Sequence, residues 1–436
     1  MARRVVVLSG DPVGVRMGGS GIRAYEIARA IGRHADVTLA APAAEQPAPP
    51  GALEVPVFEY DFLDQRALRT VLDGADAVFA QPPWPHIADE LERSGARLIY
   101  DMCNPEPLEV LEFAKRRGPR ARRAAVALTI DRVVDAFHRG HHLVSAGEKQ
   151  RDLWLGLMMA ERLIGPALYD RDPSLRSVLD TVPFGVPGDP PDARADGPRE
   201  RFGQIGLHDE IVLWNAGIWE WFDAPTAIRA VALLAERRPG VRLVFMAASG
   251  RGSAAAATEQ AMRLAAELGV RDTTVLFNDD WVPYGRRADW LMASDCMVST
   301  HREHLETRFA FRTRILDCFW SGLPTVCTSG DELSDRIERD DLGEAVPEQD
   351  PEALAGAIER VLVRGRASYA ERIAATAAEL TWDRVAEPIV RWIESGEQPP
   401  RIGAGLTRRP VHAARSIAFR GAVEALRATG RDWPRL

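Results

Sequence analysis

The stretch His301–Val326 reads HREHLETRFAFRTRILDCFWSGLPTV. Phe311, Ile315 and Phe319 recur at i, i+4 and i+8 with Leu316 beside them, so the spacing predicts a helix over roughly Ala310–Trp320 with that face buried. Gly322-Leu323-Pro324 stops the helix, because proline cannot continue it, and leads into a strand. Strand-forming residues precede the stretch at Cys296–Thr300 and follow it at Pro324–Thr328. Strand, helix and strand in so short a span make a βαβ unit, whose two strands must run parallel.

The same alternation extends in both directions. Strands are expected at Arg4–Ser9, Asp36–Ala41, Val55–Phe58, Ala77–Ala80, Ala96–Tyr100 and His142–Ser145, with a helix at Gly21–Arg33 and helical segments between the rest. A second series begins at Ile211–Trp214 and continues through Arg242–Ala247, Thr274–Phe277, Cys296–Thr300, Pro324–Thr328 and Glu344–Val346. Between the two series, Pro183–Gly197 carries Pro183, Pro187, Pro190 and Pro191 among glycines and aspartates, a composition that suits a linker. The expected class is α/β, two doubly wound Rossmann-like domains facing a cleft, with ligands outside the carboxyl ends of the strands. The expected boundaries are a first domain over 1–182, a linker over 183–208, a second domain over 209–395 and a helical tail over 396–436.

Composition narrows the class further. A chain of 436 residues with 46% apolar and 27% charged residues is ordinary globular protein, not collagen, disordered tract or disulfide scaffold. A net charge of −8 argues against nucleic-acid binding as the main task, and the basic character gathers in the arginine-rich last part, 401–436. Cys103, Cys296, Cys318 and Cys327 stand apart with no metal-ligand spacing, as reduced thiols of a cytoplasmic protein do. No apolar run reaches the ~18 residues needed to span a bilayer, so membrane contact is expected to be at most peripheral, at the inner face. Of 55 basic residues only Lys115 and Lys149 are lysines. Cationic contacts in the second domain must therefore come from arginine.

Two glycine- and arginine-bearing segments carry the candidate chemistry. Ser9–Gly21, SGDPVGVRMGGSG, joins the first strand to the first helix, and its glycines would let backbone amides approach an anion at the helix N-terminus. It lacks the G-x-G-x-x-G spacing and the acidic residue of a dinucleotide site, and a structural turn explains the same residues. Arg308, Arg312 and Arg314 fall at or just before the first turns of the 310–320 helix, where the dipole disfavours cations unless an anion lies among them. Ion pairs with Glu303 and Glu306 are the plainer alternative.

Beyond these residues the chain resembles the GT4 glycosyltransferases. Leu316-Asp317 followed by Trp320-Ser-Gly-Leu-Pro-Thr-Val326 is similar to that family's E-x7-E and A-x-G-x-P-V-V signature; Gly18-Gly19 ahead of Ala28-Arg-Ala-Ile31 is similar to its N-terminal glycine loop. Ala146–Gln150 and Val182–Val186 resemble it as well, so the likeness runs along nearly the whole chain. The resemblance implies a GT-B fold, retaining transfer from a nucleoside-diphosphate sugar without a metal or other cofactor, and a tail that crosses back to the first domain. Taken together with the arginine segment, it leads us to expect Gly18, Gly19, Gly217, Trp219, Arg308, Arg312, Arg314 and Asp317 at the donor, with Asp317 on the ribose as the resemblance implies and the arginines on the diphosphate in place of the family's usual Arg and Lys. Asp101, Glu306 and Arg312 are the expected catalytic group.

The departures from the family are specific. Phe309, not Glu, stands eight residues before Asp317, and Glu306 is the nearest acid. Leu213–Asp223, LWNAGIWEWFD, lacks the family's Arg and Lys; it offers Trp219 and Trp221 for stacking on a sugar or base, or for core packing, and Asp223 as a helix cap. Asp101 ends a strand and could meet an acceptor hydroxyl or donor sugar, or serve as a cap; His86 is a weaker candidate. Asp279-Asp280 beside Trp281 is a further possibility near the base. The acceptor, whether small molecule, glycan or lipid-linked, is not legible, nor is the oligomeric state. An epimerase or hydrolase on the same fold and a catalytically inactive partner protein remain as alternatives.

Overall fold

The computed structural model describes residues 3–47, 53–248, 254–280, 282–405 and 410–429. The chain divides into two compact units, Met1–Pro183 with Trp382–Leu436, and Phe184–Thr381.

The first unit holds a seven-stranded parallel sheet. Its strands are β1 (Arg4–Leu8), β2 (Asp36–Pro42), β3 (Val57–Tyr60), β4 (Ala77–Ala80), β5 (Arg97–Asp101), β6 (His142–Ser145) and β7 (Leu179–Thr181), in the order β3-β2-β1-β4-β5-β6-β7. Strands this deeply buried read as continuous apolar runs, as Val5-Val6-Val7 does. The sequence pattern omitted β7, whose three residues leave no periodicity to detect; Leu179 joins the sheet by pairing with Leu143.

The second unit holds six parallel strands, β8 (Glu210–Trp214), β9 (Val241–Phe245), β10 (Val275–Phe277), β11 (Cys296–Ser299), β12 (Thr325–Thr328) and β13 (Gly343–Val346). Their order, β10-β9-β8-β11-β12-β13, reverses direction between β8 and β11. In doubly wound sheets that switch point opens the crevice in which ligands bind. Gly322 adopts φ +67° at the C-cap of the helix before β12, so the sharp exit into the Leu323-Pro324 strand entry requires glycine there.

After Thr381 the chain returns to the first unit. The helix Trp382–Ser395 packs on the helix Gly19–Gly32, and Pro410–Thr429 packs on the helices Pro119–Arg139 and Pro85–Arg93. The division thus falls before Trp382, not at the expected position 396, because Val385, Ile389 and Ile393 bury the apolar face of that helix in the first unit. Arg97 fixes its end: the guanidinium donates to the carbonyls of Ile393 (3.0 Å) and Glu397 (2.9 Å) and lies 4.6 Å from the Trp392 ring centroid. A cation is favourable where helix carbonyls lack partners. Farther along, His412 and Arg415 meet Asp131, and Phe419 stacks on Trp84 at 4.9 Å. The expected tail includes 406–409 and 430–436, which lie outside the described residues.

Candidate functional site

In the second unit the carboxyl ends of β8, β11 and β12 gather most of the arginine-bearing segment. Leaving β8, the chain folds back along the end of β11: the Asp223 N–H donates to the Thr300 carbonyl (2.9 Å), the Thr300 hydroxyl donates to the Asp223 carbonyl (2.6 Å), and Phe222 bridges His301. Asp223 caps the helix Ala224–Ala235 as expected, accepting from the Thr226 amide and hydroxyl. This fold-back presents the Phe222 ring to Arg314, whose guanidinium carbon sits 3.6 Å from the ring centroid.

Arg314 is the unusual member. It is 9% exposed, its Nη1 is buried with no hydrogen-bond partner, and no carboxylate lies within ion-pair distance among the described residues. Burial, followed by the nearby Arg312, pushes its pKa down to about 9. Asn215, just past β8, holds the Arg314 backbone carbonyl through Nδ2 (2.8 Å) and leaves its own buried Oδ1 without a hydrogen-bond partner. A buried guanidinium costs several kcal/mol unless an anion compensates it.

Arg312, also buried, does have partners. Its Nη2 lies 3.3 Å from Glu306 and its Nε 3.8 Å from Asp331. Asp331 caps the helix Glu332–Arg339, accepting from the Leu333 and Ser334 amides at 2.9 Å each. His301 completes the group, with its Nε2 3.7 Å from Asp331. Burial first, then Arg312, holds its pKa well below the usual imidazole range, so the ring is neutral.

The segment is not one helix over 310–320. A short helix, Leu305–Phe309, ends at Ala310 in extended conformation, and a second runs Arg314–Ser321. The break follows the polar groups: Arg312 turns inward to Glu306 and Asp331, which a continuous helix with Phe311 and Ile315 on its buried face would not permit. Arg308 is consequently separated from the other two arginines, exposed and 5.8 Å from the Phe309 ring.

Asp317 pairs with Arg287 at 3.0 Å, and Arg287 is held between the rings of Tyr284 (3.7 Å) and Trp320 (4.4 Å). Trp219 and Trp221 stack on each other at 5.3 Å with 12° between their planes, and Trp219 is 36% exposed. The pair therefore keeps an open aromatic face. Gly217 lies against the Trp219 ring, which a Cβ there would meet at 3.4 Å, an ordinary van der Waals distance. Asp279 and Asp280 face Arg201 at the surface, and Trp281 lies outside the described residues.

In the first unit Asp101 is committed to a structural pair. Arg23, fully buried, grips both of its oxygens at 2.6 and 2.9 Å and donates to the carbonyls of Val182 (2.8 Å) and Pro183 (3.0 Å). The expected substrate contact gives way to an ion pair that ties the end of β5 to the last residues before the second unit. Arg23 is the residue the sequence reading missed; an Arg inside an otherwise apolar helix face was its only signal. His86 is likewise structural, bonded to the Phe62 carbonyl and packed on Phe419. Gly18 and Gly19 begin the helix Gly19–Gly32 with no side-chain cap, and a Cβ at either would meet nothing within 4 Å. Gly14 and Gly21, by contrast, press on the carbonyls of Gln46 and Pro12.

Residues 210–364 match the family model described as Glycosyl transferases group 1. That segment is similar to glycosyltransferase group 1 domains. Among solved structures, HepE from Anabaena in complex with UDP and glucose aligns at TM-score 0.64 and 13% identity, covering 90% of this chain and 100% of that one. WaaG, a glycosyltransferase involved in lipopolysaccharide biosynthesis, aligns at 0.62 and 17%, covering 89% and 99%. Trehalose-6-phosphate synthase OtsA aligns at 0.62 and 12%, covering 91% and 100%. No curated protein matches the chain by sequence. The fold is GT-B, and the group 1 domain on that fold indicates a glycosyltransferase. The β8/β11 switch point with Arg312 and Arg314 lies within the matched segment.

Proposed function

We propose that the chain is a GT4-like retaining glycosyltransferase that moves a sugar from a nucleoside-diphosphate donor. The observation that carries this reading is Arg314: a nine-tenths buried guanidinium without a counter-ion among the described residues, at the switch point of a doubly wound sheet. A diphosphate supplies the missing anion and can accept two parallel N–H bonds from the guanidinium. Arg312 lies beside it, stabilising the same negative charge while Glu306 and Asp331 orient it. Asp317 takes the ribose, and Trp219 offers its open face to base or sugar. Because UDP is bound in HepE, UDP and UDP-glucose are the first ligands to test.

Catalysis on this reading is electrostatic. The arginines stabilise charge building on the departing diphosphate, and the leaving phosphate takes the acceptor proton while the acceptor attacks from the same face, which retains the anomeric configuration. No metal enters the scheme, so chelation leaves turnover unchanged. The test is a panel of nucleotide sugars read by ligand-induced melting shifts, followed by NMR of the product anomer. Inverted product overturns retention; donor consumption without acceptor favours a hydrolase or epimerase; no nucleotide binding favours an inactive partner protein.

A further inference from the structure

Buried polar atoms without partners gather at one end of the second sheet. Among the described residues, Asn215 Oδ1, Ser299 Oγ, Arg314 Nη1 and both ring nitrogens of His301 are buried with no hydrogen-bond partner. Ser299 ends β11, His301 follows it, and Asn215, just past β8, holds the Arg314 carbonyl. Folded proteins leave few such atoms unpaired, so a cluster of them marks a place where a ligand or water completes the bonding. Of these side chains only the His301 imidazole belongs to a class that changes its charge near neutral pH.

The ring is held from several sides. The His301 backbone N–H donates to the Thr328 hydroxyl (3.2 Å), and the residue bridges Phe222 on the fold-back from β8. Its side chain is 1% exposed, with Nε2 3.7 Å from Asp331, which begins the helix Glu332–Arg339. Arg312 and Arg314 act on it from the start of the helix Arg314–Ser321, and His304 from the start of Leu305–Phe309. Burial, followed by Arg312, His304 and Arg314, keeps a proton off the ring. His304 is placed differently: its Nδ1 accepts from the Thr307 amide (3.3 Å) and lies 3.5 Å from Glu306.

The charges of this group balance by themselves. Arg312 and Arg314 are offset by Glu306 and Asp331, so a diphosphate arriving among them brings a surplus of negative charge. In a buried site that surplus cancels the effect of the arginines on the ring and makes one more positive charge favourable. We propose that His301 takes up a proton from solvent when a nucleoside diphosphate enters the β8/β11 crevice, so that donor binding and protonation are coupled. The inference rests on the donor assignment made for Arg314 and deepens it. Because the bound ring keeps its proton to higher pH than the free one, affinity is greatest in mild acid and weakens as pH rises, by up to about tenfold per pH unit.

The test is isothermal titration calorimetry of the full chain with UDP-glucose, in PIPES and in Tris, whose ionisation enthalpies differ. Both phosphates of this donor are esterified, so the ligand itself neither gains nor loses a proton near neutrality. Working between about pH 6 and 7.5 keeps Arg314, whose pKa is about 9, charged throughout. The wild type should show a buffer-dependent heat that corresponds to net proton uptake, and a Kd that rises with pH. His301→Gln and His301→Asn should bind with a buffer-independent heat and a flat pH profile, whereas His304→Gln should keep the uptake. The wild-type linkage is read with no variant at all, so a change at His301 that disturbs folding does not remove the test. Wild-type binding without proton uptake, or uptake that persists in a folded His301 variant, overturns this proposal and leaves the donor reading standing. Absence of UDP-glucose binding at every pH overturns both.

Discussion

Replacing Arg314 by Met separates a ligand-holding arginine from a structural one. Methionine keeps most of the unbranched stem and removes the charge. A descent of the Arg314 pKa from 12.5 to about 9 weighs on the order of 5 kcal/mol against the charged form. At neutral pH the group is protonated in both folded and unfolded chains, so the fold carries the whole cost; relief comes only above about pH 9, where the folded group sheds its proton and the unfolded one keeps it. Contact with the Phe222 ring returns up to about 2 kcal/mol. The ligand-free variant is therefore expected to be as stable as the wild type or up to about 3 kcal/mol more stable. Donor binding moves the other way. Losing a charge-assisted contact to phosphate lowers UDP affinity about a hundredfold. At a UDP concentration of about 100 times the wild-type Kd, ligand stabilisation falls from about 2.7 to about 0.4 kcal/mol. Differential scanning calorimetry with and without UDP reads both quantities. Marked destabilisation of the ligand-free variant, with UDP stabilisation intact, would refute the reasoning.

Arg312→Ala should differ in kind. It strands the buried Glu306 carboxylate, so the ligand-free protein loses about 3 kcal/mol in chemical denaturation while turnover falls about a hundredfold. Asp101→Asn leaves Arg23 buried without its counter-charge, which costs about 3–5 kcal/mol and lowers the melting temperature on the order of 10 °C, with turnover per folded molecule unchanged. Acid should weaken the first unit through His141, whose Nδ1 accepts the Leu98 amide at 2.9 Å and whose pKa burial pushes down to about 4. The unfolded imidazole takes a proton that the folded one refuses, so stability drops as pH falls from about 6.5 towards about 4. A His141→Asn variant should show a shallower decline in melting temperature over that window.

Strand after strand was legible because a doubly wound sheet is buried on both faces and writes itself as short apolar runs between amphipathic helices. Asp223 as a cap and Gly322 as a helix stop were legible too, since each acts on neighbours a few residues away. The interrupted helix at Ala310–Thr313 was not, because Arg312 turns inward not only to Glu306 but to Asp331, which lies outside the local pattern. Asp101 misled for the same reason: an Asp at a strand end looks available until Arg23, distant in sequence, arrives beside it.

Composition and periodicity by themselves determined the two-unit α/β architecture and the fact that the cationic side chains of the second unit are arginines and not lysines, since both are set by residue type and local spacing. Only the tertiary structure decided which arginine is left without a partner. Pairing depends on burial and on groups brought together from separate strands and helices, so Arg308 is left in solvent, Arg312 is balanced by Glu306 and Asp331, and Arg314 is buried against Phe222 with its charge uncompensated.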